Sequence, residues 1–157
     1  MVRKVILLAV RTALAWTFLY AGVLKIWDFK HGQPATPDFV VSIQQYHLLP
    51  WPDATVLLAV YLPWLEIFAA VGLFVRRVRL GSSLTIAVLT TIFIGALASA
   101  WSRGLRIDCG CFGRDEVSTD YPNLLLRDAC ILAAALVLFF RDTRTQAAAT
   151  VEPAAEP

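Results

Sequence analysis

Four long apolar stretches dominate the pattern of hydrophobic and polar positions along the chain. They cover residues 5–26, 54–75, 80–101 and 124–140, with polar segments between them. A helix of about 20 apolar residues crosses the roughly 30 Å hydrocarbon core of a bilayer, so each stretch is long enough to span a membrane. The pattern therefore predicts an all-α membrane protein, in which residues 1–141 form an antiparallel four-transmembrane-helix bundle in the lipid bilayer.

The polar segment between the first two spans carries the signal for a shorter helix. Thr36-Pro37 is typical of a helix start, with the threonine as N-cap and the proline in the first turn. Apolar positions then recur at helical spacing, which predicts a short amphipathic helix lying in the membrane interface. These positions are Phe39, Val40, Ile43 and Tyr46.

The two ends of the chain differ from the spans. A signal peptide is the alternative interpretation of the N-terminus, with Arg3 and Lys4 as its basic start. Its apolar core would cover only residues 5–10, because Arg11 interrupts it, so we interpret the first stretch as a transmembrane helix. The alanine- and proline-rich residues 142–157 are predicted to form a disordered cytoplasmic tail.

Basic residues indicate the orientation of the bundle. Cytoplasmic loops of membrane proteins carry an excess of Lys and Arg. Such residues are concentrated on the side that holds both chain ends, namely at Arg3, Lys4, Arg76, Arg77, Arg79, Arg141 and Arg144. We therefore expect both termini in the cytoplasm and the loop after the third span outside, in an oxidising compartment.

Composition agrees with a membrane protein and argues against a nucleic-acid-binding one. Hydrophobic residues make up 58% of the chain and charged residues 17%, whereas soluble domains are nearer roughly 45–50% apolar. The net charge is only +2, and the sequence has neither a lysine- or arginine-rich tract nor an aromatic RNA-binding motif. We therefore expect no nucleic-acid partner.

Three charged residues inside the predicted spans need partners. An unpaired charge near the bilayer centre costs at least about 2.5–3.5 kcal/mol. Arg11 and Glu66 lie at depths that differ by only about 4 Å, so we expect them to pair between the first two spans, as an internal staple or as part of a proton path. Lys25 shares a helical face with Arg11 and is expected near the outer surface, beneath the loop after the third span.

That loop contains the chain's candidate redox motif. Cys109 and Cys111, two of the three cysteines, flank one glycine in Arg106-Ile-Asp-Cys-Gly-Cys-Phe-Gly113. A disulfide closing so short a loop contributes only about 1.6 kcal/mol, which makes a structural staple a weak explanation. A redox-active dithiol fits better, because strained disulfides are labile and Arg106 favours a thiolate. A copper or zinc site is the third interpretation, but two thiolates are too few ligands for a closed zinc site, so no metal is predicted.

Cys130, the remaining cysteine, lies within the fourth predicted span. A lone buried cysteine usually behaves as a small hydrophobe. The alternative is that Cys130 accepts the disulfide from Cys109 or Cys111 as a relay within the membrane.

Several motifs occur here in the order typical of one family of small four-helix membrane proteins. They are Arg11, Gly22-Val-Leu-Lys25, Phe39, Ile43, Tyr46, Leu48-Leu-Pro50, Leu62-Pro-Trp-Leu-Glu66 and Asp108-Cys-Gly-Cys-Phe-Gly113. In these the chain resembles the methylamine-utilisation MauE family, within the wider DoxX-like group, over roughly residues 5–140. The cysteine loop and the Leu-Pro-Trp-Leu-Glu segment together make the resemblance specific.

The resemblance implies a multi-pass protein of the bacterial cytoplasmic membrane. MauE is linked to the maturation of methylamine dehydrogenase, a disulfide-rich periplasmic enzyme, alongside a thioredoxin-like protein. We therefore expect Cys109 and Cys111 to exchange thiols and disulfides with a thioredoxin-like extracytoplasmic protein while an exported client protein matures. Two alternatives remain: a membrane oxidoreductase that generates disulfides and passes the electrons to a quinone, and a non-enzymatic assembly factor.

Overall fold

A computed structural model describes residues 2–29, 31–47, 51–105 and 120–151 of the chain. Within these ranges the chain forms helices α1 (Val2–Ile26), α2 (Thr36–Gln45), α3 (Pro52–Gly72), α4 (Arg79–Ser102) and α5 (Tyr121–Val151). Two short strands, β1 (Trp27–Asp28) and β2 (Gln33–Pro34), pair antiparallel between α1 and α2.

The four longer helices, α1, α3, α4 and α5, are each apolar and long enough to cross a membrane. At most 39% of the most apolar stretch of any of them is buried within the chain. Large apolar side chains such as Trp16 and Phe68, each 67% exposed, therefore face outward, as they do when lipid is the solvent. The prediction of an all-α membrane protein with a four-helix bundle is confirmed.

These four helices pack as a ring around an apolar core. The closest packing joins α1 to α3 and α4 to α5, while contacts of α3 with α4 and of α1 with α5 complete the ring. The largest fully buried core side chains include Leu73, Ile86 and Leu138. We call the end of the bundle that holds Leu105 and Tyr121 the loop end, because the cysteine segment joins these two residues.

The short helix between the first two spans is confirmed as α2, although its start differs from the prediction. Ala35, not Thr36, is the N-cap, and no side chain caps the helix. The β1–β2 pairing explains this difference, because the Ala35 amide donates to the Ile26 carbonyl at 3.0 Å and so fixes where the chain enters α2. The first turn still contains Pro37, and Phe39 is buried.

The last helix is longer than the sequence pattern suggests. α5 continues through Val151, so the prediction of a disordered tail is wrong for residues 142–151. Alanine has the highest helix propensity and is frequent in this stretch, while the first proline of the tail comes only at Pro153. Residues 152–157 lie outside the described part of the chain.

Candidate functional site at the loop end

A buried ion pair between α1 and α3 is the most enclosed polar contact on the loop-end side of the bundle. Lys25 Nζ donates to Glu66 Oε1 at 2.5 Å, and the two side chains are only 4% and 1% exposed. Two fully desolvated charges are stable together only when they are paired in good geometry. This contact therefore ties the end of α1 to the second half of α3.

The pair forms because α1 and α3 cross very closely one turn before Lys25. A Cβ placed on Gly22 would lie 2.9 Å from the Pro63 carbonyl oxygen and 2.9 Å from Ile67 Cγ1. Only glycine fits such an approach without a shift of the neighbouring helix. The crossing at Gly22 therefore sets the register that brings Lys25 level with Glu66.

Two aromatic rings enclose the ammonium group of Lys25. Its Nζ lies 5.3 Å from the centre of the Phe39 ring and 5.1 Å from the centre of the Phe93 ring. Cations over aromatic faces at this distance are attracted by the ring quadrupole, most strongly when desolvated. Phe39 comes from α2 and Phe93 from α4, so the interfacial helix directly covers the ion pair.

A second carboxylate, Asp128 on α5, lies on the other side of the ion pair. Asp128 is 5% exposed and accepts a hydrogen bond from Arg127 Nε at 3.0 Å. Both Asp128 and Arg127 act electrostatically on Lys25. The site thus combines two buried carboxylates with two cationic side chains, drawn from three of the four spanning helices.

A cavity of about 30 Å³ opens between these groups. It has room for water but is far smaller than the pockets of roughly 300 Å³ or more that hold drug-sized ligands. Glu66 Oε2 is buried and has no hydrogen-bond partner among the described residues, so a water molecule there would satisfy it. The lining consists of Thr17, Phe18, Ala21, Lys25, Glu66, Thr90, Phe93, Arg127, Asp128 and Ile131.

Above this layer, contacts hold together the two residues between which the cysteine segment runs. The Tyr121 hydroxyl donates to the Leu105 carbonyl, and the Tyr121 ring stacks on Trp101 with ring centres 6.3 Å apart. Arg103 donates to the Tyr46 carbonyl and so joins the end of α4 to the end of α2. Burial, with smaller effects of Tyr121 and Asp128, raises the pKa of Tyr46 to about 12, so its hydroxyl stays protonated at neutral pH.

Comparison with known proteins identifies the family. The family described as methylamine utilisation protein MauE matches residues 3–141. The methylamine utilization protein MauE of Paracoccus denitrificans is 31% identical over 139 residues, which is 88% of this chain and 70% of that protein. This chain belongs to the MauE family. No solved structure matches it.

In this MauE family member, the expected pairing of Arg11 with Glu66 is wrong. Arg11 instead donates through one guanidinium nitrogen to both oxygens of Asp142 on α5, at 2.9 Å each. Glu66 pairs with Lys25, which is buried in the bundle rather than placed at the outer surface. The depth estimate failed because it took the two helices to begin at equal depth, whereas the crossing at Gly22 shifts α1 along α3.

The structure places the predicted cysteines and the nearby arginine as follows. Cys109, Cys111 and Arg106 lie outside the described residues, so their predicted redox roles stay predictions. Cys130 is a free cysteine on the exposed surface of α5, not the buried small hydrophobe that we expected. A relay through Cys130 would therefore run along the lipid-facing side of the bundle.

Sequence reasoning missed Asp128 and Asp142, although a signal for both was present. Fourteen residues separate Arg11 from Lys25 on α1, and fourteen separate Asp128 from Asp142 on α5. Equal spacing on two antiparallel helices brings both acids level with both bases. One acid then pairs with Arg11, and the other lies beside the Lys25–Glu66 pair. At the helical rise the two charged layers are about 21 Å apart.

Proposed function

We propose that this protein is a redox-associated component of the bacterial cytoplasmic membrane that supports the maturation of exported proteins. Its Cys109/Cys111 pair exchanges thiols and disulfides with a thioredoxin-like protein outside the membrane. The observation that carries this proposal is the Cys-Gly-Cys motif at residues 109–111, which lies within the region matched by the MauE family.

The proposed exchange is a pair of thiol–disulfide substitutions. The thiolate of one loop cysteine attacks a disulfide sulfur of the partner and forms a mixed disulfide, releasing one partner thiolate. The second loop cysteine then displaces the other partner sulfur. The loop pair is oxidised to a disulfide and the partner disulfide is reduced to a dithiol, with the two thiol protons passing to the partner sulfurs. The reverse direction uses the same steps.

The described residues support this role by holding the loop end in place. The Tyr121–Leu105 and Arg103–Tyr46 hydrogen bonds fix both attachment points of the loop, and the Lys25–Glu66 pair anchors the helices beneath them. A fixed base favours exchange, because the attacking thiol must meet the disulfide in line. In this proposal Arg106 adds positive charge beside the thiolate.

The candidate client follows from the comparison alone. The Paracoccus denitrificans relative is named for methylamine utilization. We propose that the exported client of this chain is an enzyme of that pathway, with methylamine dehydrogenase as the first candidate.

The test is to trap the redox state of the loop in native membranes. A Cys130→Ser background removes the third cysteine, and a membrane-impermeant maleimide applied to intact cells labels only thiols outside the membrane. We expect the pair to change from labelled to unlabelled as an external thiol–disulfide buffer becomes more oxidising. A pair that stays in one state across the whole range contradicts the exchange. Labelling only after the cells are lysed contradicts the proposed orientation, in which the loop lies outside and both termini are cytoplasmic.

Two alternative functions make different predictions. A quinone-linked oxidoreductase requires a quinone site, and the cavity of about 30 Å³ beside Glu66 is too small for a quinone ring. That alternative gains support if purified protein carries quinone and Cys130→Ser abolishes disulfide transfer. A non-enzymatic assembly factor would still support maturation of the client when Cys109 and Cys111 are both changed to serine.

A further inference from the structure

Arginines outnumber acids at the end of the bundle opposite the cysteine segment. Arg11 of α1, Arg76 of the α3–α4 turn and Arg79 of α4 gather around one carboxylate, that of Asp142. We call these four residues the arginine cluster. We propose that the arginine cluster binds the phosphate group of an anionic phospholipid.

The single carboxylate of the arginine cluster is already engaged. Both oxygens of Asp142 accept hydrogen bonds from the same nitrogen of Arg11 at 2.9 Å. Arg79 is influenced by Arg11, Asp142 and Arg76, and two of these three groups are cations. The cluster therefore carries an excess of positive charge that an external anion would balance.

Two buried donors in the cluster lack acceptors. The Nε atoms of Arg79 and Arg11 are both buried, and neither has a hydrogen-bond partner in the part of the chain that the structure describes. Leaving a buried donor unpaired is costly, and a guanidinium presents its N–H groups in a fork that matches phosphate oxygens. A phosphate oxygen placed between Arg79 and Arg11 would satisfy both atoms.

The backbone adds to the attraction. Arg79 is the first residue of α4, a helix of 24 residues, and Arg76 lies in the turn just before it. The unpaired N–H groups and the macrodipole of a helix N-terminus favour an anion at this position. Backbone and side chains thus direct positive charge to the same place.

The surroundings favour a lipid over a free phosphate ion. Phe74, Val75 and Val78 lie next to the arginines and are 50%, 48% and 51% exposed, respectively. The cluster is also about 21 Å along α1 from the Lys25 layer, which places it toward the opposite face of the bilayer. An acyl chain would cover the exposed apolar side chains while the headgroup phosphate meets the arginines.

The test measures binding of defined probes to the purified full-length chain in detergent micelles. The probes are phosphatidylglycerol, phosphatidylcholine and inorganic phosphate, and the readouts are native mass spectrometry and the thermal unfolding temperature. We expect phosphatidylglycerol to bind more tightly than phosphatidylcholine and to raise the unfolding temperature. Arg79→Gln should weaken phosphatidylglycerol binding about tenfold. Arg79→Lys should recover part of the affinity, because it restores charge but not the guanidinium fork.

Arg77→Gln is the matched control, because Arg77 lies in the same turn but is not among the groups that influence Arg79. Equal binding of the two lipids, or equal losses for Arg77→Gln and Arg79→Gln, would overturn the proposal. Inorganic phosphate that competes with phosphatidylglycerol at similar affinity would keep the phosphate site but assign it to a soluble phosphate. If Arg79→Gln does not fold, Arg76→Gln tests the same prediction, since Arg76 is exposed.

Discussion

Removing either member of the Lys25–Glu66 pair should destabilise the bundle strongly, and removing both should not. The two side chains are 4% and 1% exposed, so each single variant leaves an opposite charge buried in an apolar interior. Such an uncompensated charge costs about 3–5 kcal/mol, whereas replacing both partners with apolar residues is often neutral or stabilising. We therefore expect Lys25→Met and Glu66→Leu each to lose several kcal/mol, and the double variant to recover most of that loss.

The assay is unfolding of the purified chain in mixed micelles by increasing SDS, followed by circular dichroism. Arg144→Met is the matched control, because it also replaces a cation with methionine but at an exposed position on α5. It should change stability by less than about 0.5 kcal/mol. Additive losses in the double variant, or a Lys25→Met loss no larger than that of the control, would refute the inference that the two charges stabilise each other.

Three further predictions test other parts of the bundle. Gly22→Ala should destabilise by about 1–3 kcal/mol, because its Cβ meets a backbone carbonyl at 2.9 Å, whereas Gly95→Ala, with open space around it, should be stabilising by up to about 1 kcal/mol in the same SDS titration. Tyr121→Phe removes the hydrogen bond to Leu105 and should cost about 1 kcal/mol while increasing the alkylation rate of the reduced cysteine loop; an unchanged alkylation rate would show that this bond does not order the loop. Asp142→Asn removes the carboxylate that pairs with α1 and should lower stability by about 1–3 kcal/mol at low salt, an effect absent if the α1–α5 contact does not form in micelles.

The broad architecture of the bundle could be predicted from the sequence, because the strongest signals are local. Twenty-residue apolar stretches and the Thr36-Pro37 helix start each depend on neighbouring residues alone, and the structure confirms four spanning helices and α2. The end of α5 was misjudged because the alanine-rich composition was interpreted as disorder, although alanine favours helix.

The partners of the buried charges could not be predicted in the same way, because they depend on how far one helix is shifted along another. Arg11 and Glu66 have matching depths only if α1 and α3 begin at the same level. The close crossing at Gly22 sets a different register and gives Glu66 to Lys25. A glycine in an apolar helix shows that a close approach is permitted but does not show which residues of the neighbour it meets.

Read together, the two charged layers assign separate tasks to the two ends of the bundle. At the loop end, Lys25 and Glu66 are sealed by aromatic rings from α2 and α4, so their charges neutralise one another in a closed environment. At the opposite end, Arg11 and Asp142 leave cationic donors of the arginine cluster without acceptors, so that end remains able to bind an anion. The equal fourteen-residue spacing on α1 and α5 means that a one-residue slip between these helices would break both layers at once. The charges therefore fix the register of α1 and α5, which apolar side chains alone specify weakly when lipid is as apolar as the core.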